Sequence, residues 1–109
     1  MKLHTVIVAT LLSAAIISPA LAAKGDAATG KSKSTACAAC HGPDGNSLVP
    51  DFPKLAGQQV DYLSHTLHAY KTKKRANAIM NGQAAPLTDQ DIADISAYYA
   101  SQKGLSIKR

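Results

Sequence analysis

Cys37-Ala38-Ala39-Cys40-His41 is the stretch from which the fold of this chain is read. Two thiols three positions apart lie on neighbouring faces of one helical turn. From there they reach two vinyl groups on adjacent pyrroles of a haem. The imidazole that directly follows then lies under the iron, where histidine serves as a proximal ligand. In an exported chain a C-x-x-C-H run reads as covalent haem attachment. Three other readings compete. A Cys37–Cys40 disulfide closes a very short loop and constrains little of the unfolded chain. A thioredoxin-like redox pair sits near a βαβ pattern, and the sequence has no alternating strand pattern. A zinc site wants four ligands. Cys37, Cys40, His65 and His68 supply that number, the two histidines standing at i and i+3.

The case for export lies upstream. Lys2 gives a positive start, and Val6 to Ile17 is apolar except for Thr10 and Ser13. Pro19 and the small residues Ala20-Leu21-Ala22 follow, fitting an A-x-A cleavage site. These are the parts of a secretory signal peptide. Residues 1–22 are therefore expected to be removed, with cleavage after Ala23 as the neighbouring option. The apolar run is short of the roughly 20 residues that span a bilayer, which disfavours an uncleaved anchor. Residues 23–109 are left as a single small domain. A chain of that size buries a modest core and often needs a staple. With no tryptophan and only two cysteines in its 109 residues, a covalent haem is the apolar mass the side chains lack.

Downstream the pattern is helical, and the fold class expected is all-α. Residues 24–36 are small and polar, a weak helix leading into Cys37. Residues 42–58, with Gly42-Pro43-Asp44-Gly45-Asn46, Pro50 and Pro53, read as loop. Val60, Leu63, Leu67 and Tyr70 form an apolar stripe, which predicts a helix over 59–74. Ile92, Ile95 and Tyr99 form another, which predicts a helix over 89–102. Thr88 stands as its N-cap, Asp91 lies three residues on, and Leu87 is placed to staple against Ile92. Asn77-Ala78-Ile79-Met80-Asn81-Gly82 between them reads as a loop.

A haem held by His41 needs a sixth ligand or an open site. Met80 is the one methionine beyond the leader. Thioether opposite imidazole raises the potential, as suits electron transfer. An ordinary core methionine is the plainer reading of Met80. His65 and His68 are rival ligands, although histidines among polar neighbours inside a helix are more often surface residues.

The net charge is +5, and all seven acidic residues are aspartates. Lys71, Lys73, Lys74 and Arg75 crowd the end of the first long helix. Asp89, Asp91 and Asp94 crowd the start of the second. Each cluster complements a helix dipole, and the basic one also suits docking to an acidic protein surface. Nucleic acid is disfavoured, since no basic stripe with interleaved aromatics is present. There is no nucleophile–base pair, and the chain is not expected to be an enzyme.

With these residues in view, the chain resembles a monohaem class I cytochrome c, nearest to the c553 and c4 groups. The matching text runs from Cys37 to Ser47, then through Phe52-Pro53-Lys54-Leu55-Ala56-Gly57-Gln58. It continues with Tyr62-Leu63, Lys74-Arg75, Met80-Asn81-Gly82, Pro86 to Asp91, and Ala97 to Gln102. The resemblance implies three to five helices wrapped around one covalent haem c per chain, with His41 and Met80 as axial ligands. It implies that the Pro53 carbonyl accepts from the His41 imidazole, and that Arg75 lies near a haem propionate. Gly30 and either Tyr98 or Tyr99 would meet where the first and last helices cross. Ser32 and Ser34 depart from a first helix that is usually more apolar. Gln83 stands where c4-like chains often have a second methionine, and a single C-x-x-C-H does not make a complete dihaem c4. The function implied is periplasmic electron transfer by a monomer between redox partner proteins. The alternatives are a subunit through which electrons enter a larger oxidoreductase, or a ligand-sensing haem protein with a displaceable sixth ligand.

Overall fold

A computed structural model of the chain describes residues 9, 10, 13 and 23–105. The expected leader, residues 1–22, lies outside them apart from those three positions. The described residues hold five helices and no strand: α1 (Ala27–Lys33), α2 (Thr35–His41), α3 (Val60–Lys71), α4 (Ala78–Ala84) and α5 (Asp89–Ala100). The all-α expectation holds. No helix among the described residues is long and apolar enough to cross a membrane.

The weak lead into Cys37 is two short helices. Asp26 caps α1, its carboxylate accepting from the Ala28 N–H at 3.3 Å, which satisfies one orphan donor of the first turn. Ser34 separates α1 from α2. It is buried, and its hydroxyl donates to the Lys31 carbonyl at 2.8 Å, a local bond that competes with helix continuation. Cys37, Cys40 and His41 therefore share their own seven-residue helix, which stops at Gly42 with φ 86°.

α1 packs on α5. At the crossing, a Cβ on Gly30 would lie 1.9 Å from the Asp94 carbonyl oxygen and 2.9 Å from the Tyr98 Cβ. Tyr98, rather than Tyr99, is thus the partner of Gly30. A polar network fastens the same crossing. The buried Asp94 carboxylate accepts from the Asp26 N–H at 2.8 Å, Lys33 Nζ at 2.8 Å and Gln90 Nε2 at 2.9 Å. Lys33 also reaches Asp91 at 2.9 Å. Buried carboxylates persist only when satisfied in this way.

α5 begins with a full capping box between Thr88 and Asp91 and buries Ile92, Ile95, Tyr98 and Tyr99. Leu63 of α3 joins Ile95, Tyr98 and Tyr99 in the core, and Cys37, Leu55, Leu67 and Leu87 pack around them. Two helix readings need correction. α3 ends at Lys71, short of 74, because Thr72 turns its hydroxyl back to the His68 carbonyl at 2.9 Å and Lys73 adopts a left-handed φ of 61°. That exit is usually made by glycine, so nothing in the sequence signals it. Val60 does not join the stripe. It is the first residue of α3 and stays exposed, the core beginning one turn later at Leu63.

The 42–59 loop is moored to the end of α5. The Gly57 N–H donates to the Tyr99 carbonyl at 2.9 Å and the Leu105 N–H to the Ala56 carbonyl at 2.8 Å. Asn46 Nδ2 donates to the Lys103 carbonyl at 2.9 Å, and the Tyr98 hydroxyl to the Pro43 carbonyl at 2.6 Å. Gly45 sits inside this mooring with φ 82°, and a Cβ there would lie 2.7 Å from the Tyr99 ring.

Candidate functional site

A cleft of about 660 Å³ opens between α2, the 42–59 loop, α3, α4 and α5. Cys37, Cys40 and His41 line it from α2, and Pro53 from the loop. Met80 lines it from α4, and Arg75 from the turn before α4. The six residues that the resemblance assigns to the site thus line one cavity. Gln83 borders it as well.

Both thiols are free and half-buried. Burial, reinforced by the neighbouring Cys40, pushes the Cys37 thiol up from its ordinary value. The described residues hold no strand, so the βαβ setting of a thioredoxin-like pair is absent around them. His41 is buried, and its Nδ1 lies 2.7 Å from the Pro53 carbonyl oxygen. A carbonyl only accepts, so Nδ1 carries the proton and Nε2 keeps its lone pair for a metal. The Phe52 ring stands edge-on to the imidazole at 6.5 Å.

Met80 is in a helix, which corrects the loop-like reading of residues 77–82. Asn77 caps α4, its side-chain oxygen accepting from the Met80 N–H at 3.0 Å. Residues of low helix propensity hide this cap, because Asn favours both caps and turns. His65 and His68 do not line the cleft. His65 is exposed, and His68 Nδ1 lies 3.9 Å from Asp89. Among the described residues no three His, Cys, Asp or Glu side chains converge to hold a metal ion. The four-ligand zinc arrangement is therefore not formed.

The basic cluster divides. Lys71 donates to the Leu87 carbonyl and so braces α3 against the start of α5. The Arg75 guanidinium lies 5.1 Å over the Tyr70 ring. A hydrogen bond from Arg75 also holds the Tyr62 phenol below its ordinary pKa. Lys73 and Lys74 remain exposed, as does Lys54 at the cleft.

Three features of the inner wall left no trace in the sequence. Thr66 Oγ1, Ser96 Oγ and the Tyr99 hydroxyl are buried without a hydrogen-bond partner, and all three residues line the cleft. Burial, with the Cys37 charge second, pushes Tyr99 up to about 12. Buried hydroxyls without partners are rare in a finished interior. Their gathering here marks a wall made to meet an occupant. An apolar cavity with two thiols, an imidazole with its Nε2 free and a thioether is a donor set that fits a covalently attached haem.

The sequence profile of cytochrome c matches residues 22–103. The chain belongs to the cytochrome c family. It is 50% identical over 101 residues to cytochrome c4 of Pseudomonas aeruginosa, a match covering 93% of this chain and 50% of that protein. It is 48% identical over 82 residues to cytochrome c-554(548) of Halomonas halodenitrificans, covering 72% of this chain and 99% of the relative. The fold is that of cytochrome c. Reduced cytochrome c4 from Pseudomonas stutzeri superposes with a TM-score of 0.71 at 47% identity, over 74% of this chain and 47% of that one. The chain spans about half the length of the c4 relatives it matches. Covalent haem c is the cofactor of this family, and the cleft fits it.

Proposed function

We propose that this chain is a periplasmic electron carrier, exported by residues 1–22 and holding one haem c through Cys37 and Cys40, with His41 and Met80 as axial ligands. The observation that carries the reading is the His41 imidazole, held through Nδ1 by the Pro53 carbonyl with Nε2 left free in a cleft that Cys37, Cys40 and Met80 also line. When bound, haem c supplies a one-electron ferrous–ferric couple.

The chain's own residues set the terms for that couple. The Pro53 carbonyl fixes the imidazole ring and raises its basicity as a ligand. The thioether of Met80 favours the ferrous state. Leu63 and Ile95 give the inner wall apolar surface, and Arg75 offers a propionate a fork of donors from the rim. Lys54 at the cleft and the exposed Lys73 and Lys74, next in sequence to Arg75, give a positive field that suits an acidic redox partner.

The test is the intact mass of the exported protein with its oxidised and reduced visible spectra, for the wild type and Met80→Ala. The expected result is one haem adduct on a chain lacking residues 1–22, low-spin in both states. Met80→Ala should lose the sulfur-to-iron absorption and bind carbon monoxide when reduced. An unmodified mass, or a Met80→Ala spectrum equal to the wild type, would overturn the assignment.

A further inference from the structure

We infer that Asn81 is the positioning residue for Met80: its side-chain amide ties α4 to the end of α3 and so sets where the thioether lies in the cleft. The inference rests on Met80 as the sixth ligand. It starts from how little else holds α4. Ala84 is the one residue that this seven-residue helix buries. Ile79, beside Met80, is 59% exposed. A Cβ added at Gly82 would meet nothing within 4 Å. Apolar packing of this extent does not fix a short helix.

The Asn81 amide supplies what packing does not. Its Nδ2 donates to the Tyr70 carbonyl at 2.8 Å and to the Arg75 carbonyl at 2.8 Å. Its Oδ1 accepts from the Asn77 N–H at 3.0 Å. Two carbonyls need donors and one N–H needs an acceptor, so the orientation of the amide is determined by its partners. Asn77 in turn accepts from the Met80 N–H at 3.0 Å. A chain of hydrogen bonds thus leads from the last turn of α3 to the backbone of Met80.

A separate observation points the same way. The two carbonyls that Asn81 bridges flank the turn in which Lys73 takes its left-handed φ of 61°. A bulky residue holds that conformation only where its surroundings over-determine it. The Lys73 N–H donates to the same Tyr70 carbonyl at 3.2 Å, and the Arg75 N–H to the Ala69 carbonyl at 3.1 Å. Asn81 closes this turn from outside, and the closed turn delivers α4 to the cleft.

The test uses the haem-loaded protein and imidazole as the probe that displaces a thioether from ferric iron. Asn81→Ala removes the tether, and Asn81→Asp sets acceptors against the two carbonyls. Each should bind imidazole about tenfold more tightly than the wild type, because the Met80-off state becomes more populated. The sulfur-to-iron absorption should weaken in step. Asn81→Ser, which keeps one donor and one acceptor, should fall between and serves if the others fold poorly. Asp94→Asn loosens the α1–α5 crossing instead, and should lower the Tm while leaving imidazole affinity unchanged. Wild-type affinity in all three Asn81 variants would overturn the role of Asn81, as would an equal gain in Asp94→Asn. A wild-type protein without the sulfur-to-iron absorption would overturn the Met80 reading itself, and this inference with it.

Discussion

At the scale of single residues, Gly30 has the least freedom to change. Its missing side chain lets α1 approach α5 until the Asp94 carbonyl occupies the space a Cβ would need. The obstacle is backbone, which cannot swing aside. Gly30→Ala should therefore cost about 3 kcal/mol, at the upper end of overpacking penalties, seen as a lower midpoint in urea unfolding of the haem-loaded protein. An unchanged midpoint would mean the crossing gives way more readily than its geometry implies. Legibility at this scale follows the length of sequence over which a constraint acts. Cys37, Cys40 and His41 sit within one helical turn, so their spacing alone announces them. The hydroxyls of Thr66, Ser96 and Tyr99 come together from two helices, and no local pattern foretells that. Asn81 escaped for another reason. Its partners are backbone carbonyls, which every residue carries.

At the scale of elements, α5 was the most legible helix, because its start is written in side chains. Thr88 and Asp91 form the capping box that their spacing predicts. Bonds from the Thr88 backbone, then from Lys33, hold the Asp91 carboxyl down at about 2. Asp94, bonded first by Lys33, is also lowered. Both pKa values are depressed on folding, so both carboxylates add stability above their ordinary value of 3.8. That stability is lost as pH falls from there toward about 2. The Tm should accordingly drop on acidification through this window, and Asp91→Asn should flatten the drop. An acid limb as steep in Asp91→Asn as in the wild type would remove Asp91 from that account. Lys33 is raised by the same partners. Its contribution is complete below its ordinary 10.5 and fades only as pH rises through the raised value, outside the acid window. α4 was the least legible element, since an Asn cap and a Gly in a short helix look like a turn.

At the scale of the molecule, charge is sorted by what each group already touches. Lys33 and Lys71 are spent on joining elements, and Arg75 is stacked on Tyr70. Of the 71–75 cluster, Lys73 and Lys74 stay exposed, and with Lys54 at the cleft they are the residues on which the proposed docking would rest. Exposed charges of this kind act on encounter rates and are screened beyond about 8 Å at physiological ionic strength. Electron transfer to an acidic partner should slow as salt rises, and the double change Lys73→Glu with Lys74→Glu should slow it and flatten its salt dependence. A rate indifferent to salt would remove the docking surface.

The mooring of the 42–59 loop carries a consequence for how the molecule is made. The carbonyl that orients His41 belongs to a loop fastened to Tyr99, Lys103 and Leu105. A chain emerging from its N-terminus has Cys37 and Cys40 long before it has those anchors. Before residues 99–105 are made, nothing fastens the loop whose carbonyl meets His41. The imidazole is therefore oriented late, once α5 and the turn beyond it are in place.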